Sequence, residues 1–225
     1  MLNQQDAEKI VRYFKMGYEE HGYSPKALHW DKGKQDIRFD ILTSGYDGYH
    51  KHILDIGCGF GDLNQTLCKK WKEYQYTGID ITPELIAEAG RRYGGKNVRF
   101  YTMDFLAASE ELQYDYAVLS GTLNYRINGM EQYEYAFRMM EKAYRCCRDG
   151  FAFDFLSDKV DYQLGDAFHY APERVLALAY QLSRNVCLRN DYMPFEFSLF
   201  VYKDDSFEKE DTMFCRYKRL RKGED

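Results

Sequence analysis

A glycine run and three separated acids are the residues of this sequence whose types and spacing could do chemistry. Residues 53–61 read Ile-Leu-Asp-Ile-Gly-Cys-Gly-Phe-Gly, so the glycines end a short apolar stretch. Glycines let the backbone approach a ligand closely, and a helix that begins behind them favours a polar or anionic group. Asp80 and Asp104 end the next two apolar stretches. An acid in the place of Asp80 can bind both hydroxyls of a ribose.

The spacing of the glycines disfavours a nicotinamide dinucleotide as the ligand. The dinucleotide fingerprint is G-x-G-x-x-G. Here the third glycine, Gly61, comes one position early, and Asp62 stands where that fingerprint has glycine. Asp55 also puts an acid inside the first strand. An NAD-dependent oxidoreductase is therefore a poorer interpretation of this site than another nucleoside ligand.

Alternating apolar runs predict the elements that must position these residues. Short runs bounded by glycines and charged residues predict buried strands over 52–56, 76–80, 98–103, 114–119 and 151–156. Helical spacing predicts helices over 4–20, 34–46, 61–71, 82–93, 130–147 and about 172–183, with a loop over 21–33. Gly150 is expected to cap the helix that ends near residue 147. This alternation predicts a parallel sheet with helices on both faces.

The end of the chain departs from that alternation. Residues 186–188 and 195–202 are two apolar runs joined by a turn, which predicts an antiparallel hairpin. The fold class that we predict is α/β: a doubly wound, seven-stranded, mostly parallel sheet with the last strand antiparallel. Residues 203–225 form a charged segment, in which the basic residues are Arg216, Lys218, Arg219, Arg221 and Lys222. A solvated tail is the favoured interpretation, and a basic patch for an anionic substrate or partner is the alternative.

The motifs, in this order and spacing, resemble those of the class I S-adenosylmethionine-dependent methyltransferases of the small bacterial type, over roughly residues 50–202. The matching stretches are Leu54–Gly61, Gly78–Ile81, Met103–Phe105 and the terminal hairpin. The resemblance implies a Rossmann-like methyltransferase fold, S-adenosylmethionine as cofactor and S-adenosylhomocysteine as product. It also implies three parts of a single domain: a helical lid over 1–46, the cofactor-binding domain over 47–203 and a charged tail over 204–225.

The resemblance further implies which residues bind the cofactor. Asp55 and the glycine run would bind the methionine part, Asp80 the ribose hydroxyls, and Asp104 with Phe105 the adenine ring. The remaining implied residues are Gly57, Cys58, Gly59 and Gly61 in the run, Ile81 against the adenine, and Ser120 near the sulfonium.

Aromatic and basic residues of the N-terminal segment are candidates for closing the site. Arg38 could pair with the methionine carboxylate in a bidentate way, while Trp30 and Tyr13 could cover the cofactor. The alternative is a surface arginine and an aromatic residue that fastens the helix to the sheet.

The acceptor of the methyl group is expected over the fourth and fifth strands. Asn124 and Tyr125 follow the fourth strand, Asp154 lies in the fifth, and residues 157–170 come next, with Asp161 and Tyr170 as further candidates. His169 is the candidate general base, because histidine suits proton transfer near neutral pH. A helix-capping or partly buried histidine is the alternative interpretation.

Composition and missing motifs limit the partners that we expect. The formal charge of −5 disfavours bulk nucleic acid, and residues 119–124 lack the Asn/Asp-Pro-Pro-Tyr/Phe motif of relatives that methylate bases. No apolar run reaches the ~20 residues that cross a bilayer. The six cysteines show no C-x-x-C spacing, and His50 and His52 lack a third metal ligand, so no metal is predicted.

These observations predict a cytoplasmic methyltransferase that acts on an O or N atom of a small molecule, or of a small group on a larger glycan or peptide. No nucleic-acid or membrane partner is expected, and the chain is expected to be a monomer or homodimer. A non-catalytic module that binds a cofactor or a partner on the same fold is the alternative.

Overall fold

The computed structural model describes residues 1–30, 34–109 and 113–223. The last three residues of the predicted loop 21–33 and the last two of the predicted tail lie outside the described residues. The seven strands are β1 (His52–Ile56), β2 (Gln75–Asp80), β3 (Val98–Thr102), β4 (Tyr114–Leu119), β5 (Cys147–Leu156), β6 (Val186–Arg189) and β7 (Glu196–Tyr202). The helices are α1 (Gln4–His21), α2 (Gln35–Leu42), α3 (Leu63–Lys70), α4 (Pro83–Tyr93), α5 (Gln132–Cys146), α6 (Pro172–Ala179) and α7 (Cys215–Lys222).

All seven strands form one sheet in the order β3-β2-β1-β4-β5-β7-β6. The first five strands are parallel, and β7 is antiparallel to both β5 and β6. This arrangement confirms the predicted fold class. The carboxyl ends of β1 to β4 therefore lie on one edge of the sheet, with the strand order reversing between β1 and β4. A ligand site is expected at such a reversal.

Alternate residues along each central strand point to opposite faces of the sheet, and helices bury both faces. In β1, Leu54 packs with α5 and α6, whereas Ile53 packs with α2 and α3. In β4, Leu119 and Tyr116 divide in the same way. Both strands are apolar throughout most of their length because helices cover both faces. A third cluster joins Phe60 of the glycine run to the N-terminal segment.

Gly150 does not have the predicted role as a helix cap. Helix α5 ends at Cys146 and β5 begins at once, so Gly150 lies inside the strand with a φ of +135°. A Cβ atom there would lie 2.0 Å from the carbonyl oxygen of Val201 on β7. The glycine is needed because two backbones approach closely beside a register shift between β4 and β5.

The described part of the predicted C-terminal tail contains a helix, α7. Arg216 of α7 stacks on the ring of Tyr202 at 3.7 Å and donates to the carbonyl oxygen of Gly45. Lys218 pairs with Glu208 and Asp211. The basic cluster therefore has partners within the chain. Within the described ranges, every helix is too short or too polar to span a bilayer.

Candidate active site

A cavity of about 750 Å³ opens at the carboxyl edge of the sheet and is covered by α1 and the segment behind it. Most of the candidate residues predicted from the sequence line this cavity; Gly61 and two candidates for the acceptor side, Asp154 and Tyr170, do not. The lining residues include Trp30, Arg38, Asp55, Gly57, Cys58, Gly59, Asp80, Ile81, Asp104, Phe105, Ser120, Asn124, Tyr125 and His169.

The glycine run turns sharply because its glycines adopt positive φ angles that other residues rarely adopt. Gly57 has a φ of +70°, and a Cβ atom on it would lie 1.9 Å from the hydroxyl oxygen of Thr122. The N–H groups of Gly57 and Cys58 both donate to the carbonyl oxygen of Ile79 on β2. Gly61 also has a positive φ, but it packs against the ring of Phe100. Gly61 is absent from the cavity lining, and its contact with the cofactor stays a prediction.

Asp80 is held at the end of β2 by backbone donors. Its Oδ2 accepts from the N–H of Gly59 at 3.0 Å, and its Oδ1 accepts from the N–H of Thr82 at 2.8 Å. Burial raises the pKa of this carboxyl, against the opposing effect of these hydrogen bonds. The side chain thus couples the glycine run to the start of α4 and still faces the cavity.

Asp104 is fixed in the same manner at the end of β3. Its Oδ1 accepts from the N–H of Leu106 at 2.9 Å, and its Oδ2 accepts from the N–H of Leu2 at 3.0 Å. Phe105 is buried beside it, with the ammonium of Lys142 5.2 Å from the ring centroid. Sequence reasoning missed Leu2, since a main-chain contact between residues 102 positions apart leaves no pattern in side-chain types.

Asp55 is a buried carboxyl group within the glycine motif. The hydroxyl of Tyr76 donates to its Oδ2 at 2.6 Å. Burial raises the pKa of Asp55 to about 7, and the neighbouring Asp80 and Asp62 carboxylates act in the same direction. Asp55 therefore titrates near neutral pH, where an ammonium group placed beside it would favour the ionised form.

Ser120 on the cavity lining forms a hydrogen-bonded pair with Asp154, which is not on the lining. The hydroxyl of Ser120 donates to Oδ2 of Asp154 at 2.5 Å, and the N–H of Gly121 donates to Oδ1 at 2.7 Å. Asp154 is absent from the lining, as is Tyr170, whose hydroxyl donates to the carbonyl oxygen of Leu123. These two candidates for the acceptor side are therefore structural supports.

Arg38 is buried, which excludes the surface arginine considered from the sequence. Its Nε and Nη2 atoms both lie 2.6 Å from Oε2 of Glu196 on β7, and its guanidinium lies 3.6 Å from the ring centroid of Trp30. Nη1 is buried and has no hydrogen-bond partner among the described residues. Glu196 was missed by sequence reasoning, although a glutamate that begins an apolar strand is an unusual feature. Tyr13 stacks on His29 with ring centroids 3.8 Å apart.

Asn124 and Tyr125 connect the end of β4 to the loop over 157–169. Oδ1 of Asn124 accepts from the N–H of Leu156 at 3.0 Å, and its carbonyl oxygen accepts from Phe168 at 2.8 Å. Tyr125 forms an isolated bridge with Ala167, and its ring lies 5.5 Å from that of Tyr13. Both residues therefore shape the acceptor side of the cavity.

His169 has both ring nitrogens occupied by backbone groups. Nδ1 lies 2.7 Å from the carbonyl oxygen of Ser157, and the N–H of Leu164 donates to Nε2 at 3.1 Å. The tautomer that satisfies both contacts carries its proton on Nδ1. In that tautomer neither ring nitrogen has a lone pair free to take a proton from an acceptor. These contacts favour the structural histidine, and the general base stays a prediction.

His50, which precedes β1, and His52, which begins it, have different partners. His50 is exposed and faces Glu73 at 3.4 Å, whereas Nε2 of His52 contacts the hydroxyl of Thr77 at 2.9 Å. In the three described ranges, no three His, Cys, Asp or Glu side chains come together as a metal site.

The strand order, the glycine run and the acids at three strand ends define a class I methyltransferase fold, and comparison with known proteins agrees. Residues 53–150 match the family model described as a methyltransferase domain. A protein of Mycobacterium tuberculosis named as a methyltransferase is 31% identical over 160 residues, which cover 67% of this chain and 92% of that protein. The chain belongs to the S-adenosylmethionine-dependent methyltransferases, and S-adenosylmethionine is its cofactor.

Two further similarities involve named activities. The malonyl-[acyl-carrier protein] O-methyltransferase of Acetivibrio thermocellus is 36% identical over 73 residues, which cover 32% of this chain and only 26% of that enzyme. The structure of the N-methyltransferase NodS from Bradyrhizobium japonicum with S-adenosylhomocysteine superposes with a TM-score of 0.60 and 17% identity, over 84% of this chain and 98% of that one. At this identity the second similarity shows the fold alone.

Proposed function

We propose that this methyltransferase transfers the methyl group to an O or N atom of a small molecule, or of a small group on a larger glycan or peptide. The observation that carries the proposal is that one cavity contains both the strand-end acids and a separate wall formed by Asn124, Tyr125 and residues 156–169. Its volume of about 750 Å³ lies in the upper part of the usual range for ligand pockets. The partial match to the malonyl-[acyl-carrier protein] O-methyltransferase, which spans 26% of that enzyme, supports an oxygen acceptor as one of the two classes.

The cavity residues fit the cofactor. Asp80 would hold the ribose hydroxyls, Asp104 with Phe105 the adenine, and Asp55 the amino group of the methionine part. Arg38 lines the cavity, and its buried Nη1 has no hydrogen-bond partner among the described residues, so a carboxylate of the cofactor would supply the partner that it lacks. When bound, S-adenosylmethionine supplies a methyl group on a sulfonium, which is a good leaving group.

The chain itself has to align the acceptor and exclude water. We propose that α1 and the residues behind it act as the lid over the cavity. Tyr18 donates to Glu88 at 2.7 Å and Tyr23 donates to Asp62 at 2.6 Å, so this segment is fastened to α4 and to the glycine run. Tyr125 with Tyr13 would contact the acceptor. His169 would hold the loop over 157–169 instead of moving a proton.

A methyl-transfer screen tests this proposal. The purified protein is incubated with S-adenosylmethionine and three acceptor panels (amines, hydroxyl compounds and carboxylic acids), and S-adenosylhomocysteine is measured by mass spectrometry. We expect product above the acceptor-free background in one panel, and at least tenfold less product with Asp80→Ala at low cofactor concentration. The matched control is Asp191→Asn, which changes an exposed acid. Binding of S-adenosylhomocysteine without turnover in any panel would contradict transfer to these acceptors and favour a non-catalytic role.

A further inference from the structure

A buried ion pair joins helix α2 to strand β7. Arg38 on α2 is 5% exposed and Glu196 on β7 is 2% exposed, and the two residues are 158 positions apart in the sequence. Both Nε and Nη2 of Arg38 lie 2.6 Å from the same oxygen, Oε2 of Glu196. A buried pair is held strongly only where its remaining donors are also satisfied. Nη1 of Arg38, however, is buried without a partner among the described residues.

The guanidinium of Arg38 is fixed from two directions. Glu196 holds one edge of the group, while the ring of Trp30 covers one face at 3.6 Å. Trp30 is in turn held close to Gly121, where a Cβ atom would lie 2.3 Å from the indole ring. Arg38 and Trp30 line the cavity, and Glu196 does not. The pair therefore stands behind the wall, with the arginine on the cavity side.

A second buried carboxylate, Asp154, carries a charge that interacts with the same arginine. Asp154 is 1% exposed, and the charge of Arg38 lowers its pKa against the larger opposing effect of burial. Asp154 is held by other partners, since it accepts from Ser120 and from the N–H of Gly121. Glu196 is therefore the carboxylate that contacts Arg38 directly, and it occupies Nε and Nη2 while Nη1 is left over.

We propose that Glu196 is a positioning residue for cofactor binding: it orients Arg38 so that Nη1 donates to the carboxylate of the cofactor's methionine part. This inference rests on the proposed function. Holding that carboxylate would also limit where the sulfonium of the same methionine chain can lie. The charge-assisted hydrogen bond is gained without further ordering of the arginine, since Glu196 and Trp30 already hold it.

Two ligands separate this role from a merely structural one. S-adenosylhomocysteine carries the carboxylate, whereas 5′-methylthioadenosine keeps the adenosine and the sulfur but lacks the amino-acid end. Dissociation constants for both are measured by calorimetry on the wild-type chain and on Glu196→Ala, Glu196→Gln, Arg38→Lys and Asp191→Asn. The last is the matched control, because Asp191 pairs with Arg189 in an exposed position on the same hairpin.

We expect Glu196→Ala to weaken the binding of S-adenosylhomocysteine about tenfold or more, which is the loss typical of removing a hydrogen bond to a charged group. Its affinity for 5′-methylthioadenosine should stay within about twofold of wild type. Glu196→Gln keeps an acceptor oxygen for the arginine and should remain within about threefold of wild type for both ligands. Arg38→Lys should behave like Glu196→Ala, because one ammonium cannot serve both Glu196 and a ligand carboxylate in this geometry. Asp191→Asn should change the affinity for neither ligand.

The inference is overturned if Glu196→Ala weakens the binding of both ligands equally, or if it leaves the affinity for S-adenosylhomocysteine unchanged. If Glu196→Ala shows no cooperative unfolding transition, the same comparison on Arg38→Lys decides: an equal loss of both ligands overturns the proposal, and a selective loss supports it. Failure of the proposed function is distinguishable, because it appears as wild-type binding of S-adenosylhomocysteine without turnover in any acceptor panel, whereas the present test compares the binding of two ligands between variants.

Discussion

The proposed cofactor half and the proposed acceptor half of the cavity are built by different means. On the proposed cofactor side, Asp80 and Asp104 stand at strand ends and accept hydrogen bonds from backbone N–H groups beside them in space. On the proposed acceptor side, the side chain of Asn124 accepts from the N–H of Leu156 where the loop over 157–169 begins, and the ring of His169 contacts two backbone groups within that loop. The first half is thus set by the sheet, and the second depends on a few side chains. Substitutions should therefore damage the two halves in different ways.

The largest effect is expected where the glycine run contacts Thr122, in the turn that follows β4. Gly57→Ala would need a positive φ and would place Cβ 1.9 Å from Oγ1 of Thr122. We expect a loss of about 2 kcal/mol or more in the free energy of unfolding. We also expect an affinity for S-adenosylhomocysteine at least a hundredfold weaker, as measured by urea unfolding and calorimetry.

Gly90→Ala provides the control for that substitution. Gly90 lies inside α4 with a φ outside the positive range and no atom within 4 Å of an added Cβ. Alanine there should stabilise the protein by up to about 1 kcal/mol and leave ligand affinity unchanged. Equal stability and affinity for Gly57→Ala and Gly90→Ala would refute the close-packed turn.

Asp80→Ala should weaken the binding of S-adenosylhomocysteine by about 10- to 100-fold. The substitution would remove the proposed acceptor for two ribose hydroxyls. It also leaves the N–H groups of Gly59 and Thr82 without the carboxylate to which they donate, and hydrogen bonds to a charged group are stronger than neutral ones. Asp80→Asn keeps one acceptor oxygen and should lose less. Calorimetry that finds wild-type affinity for Asp80→Ala would remove the assigned role.

Asp55 should make the stability of the cofactor half depend on pH. Its pKa is raised from 3.8 to about 7 by burial, so between these values the folded chain holds a proton that the unfolded chain has released. This contribution is present at low pH and is lost as the pH rises through about 7. Asp55→Asn should therefore flatten the decline in the free energy of unfolding by up to about 1.4 kcal/mol per pH unit.

The measurement for Asp55 is urea unfolding of both chains at half-unit steps between pH 4.5 and 7.5. Glu196, whose pKa burial also raises to about 7, contributes equally to both chains and drops out of the difference. Parallel curves for wild type and Asp55→Asn would show that Asp55 does not titrate in this range.

The smallest effect on cofactor affinity is expected from His169. His169→Gln should remove the hydrogen bond from the N–H of Leu164, so that this amide exchanges with solvent at least tenfold faster. Affinity for S-adenosylhomocysteine should stay within about twofold, because the cofactor half does not use this loop. Hydrogen exchange with mass spectrometry measures the exchange rate of amides in this loop. His50→Gln, which changes an exposed histidine, serves as the control. A loss of cofactor affinity in His169→Gln would contradict the division between the halves.

The same division explains what could be predicted from the sequence. Asp55, Asp80 and Asp104 end apolar runs, so local patterns place them on one edge of the sheet. The strand order and the terminal hairpin follow from the same runs together with the family resemblance. Each of these predictions depends on residues close together in sequence.

Features that depend on contacts between distant residues could not be predicted. Glu196 meets Arg38 across 158 positions, and the N–H of Leu2 meets Asp104 across 102. The type of His169 suggested a base, but its partners, Ser157 and Leu164, are main-chain groups that side-chain patterns do not reveal. Gly150 was placed at a helix end because its close neighbour, Val201, lies on another strand.

The most direct test of the central claim is calorimetric titration of the wild-type chain with S-adenosylhomocysteine, with NAD as the control ligand. We predict micromolar binding of S-adenosylhomocysteine at one site per chain and no heat from NAD, as the glycine spacing and the strand-end acids require. Binding of NAD, or the absence of binding to S-adenosylhomocysteine, would contradict the assignment of this cavity to the cofactor.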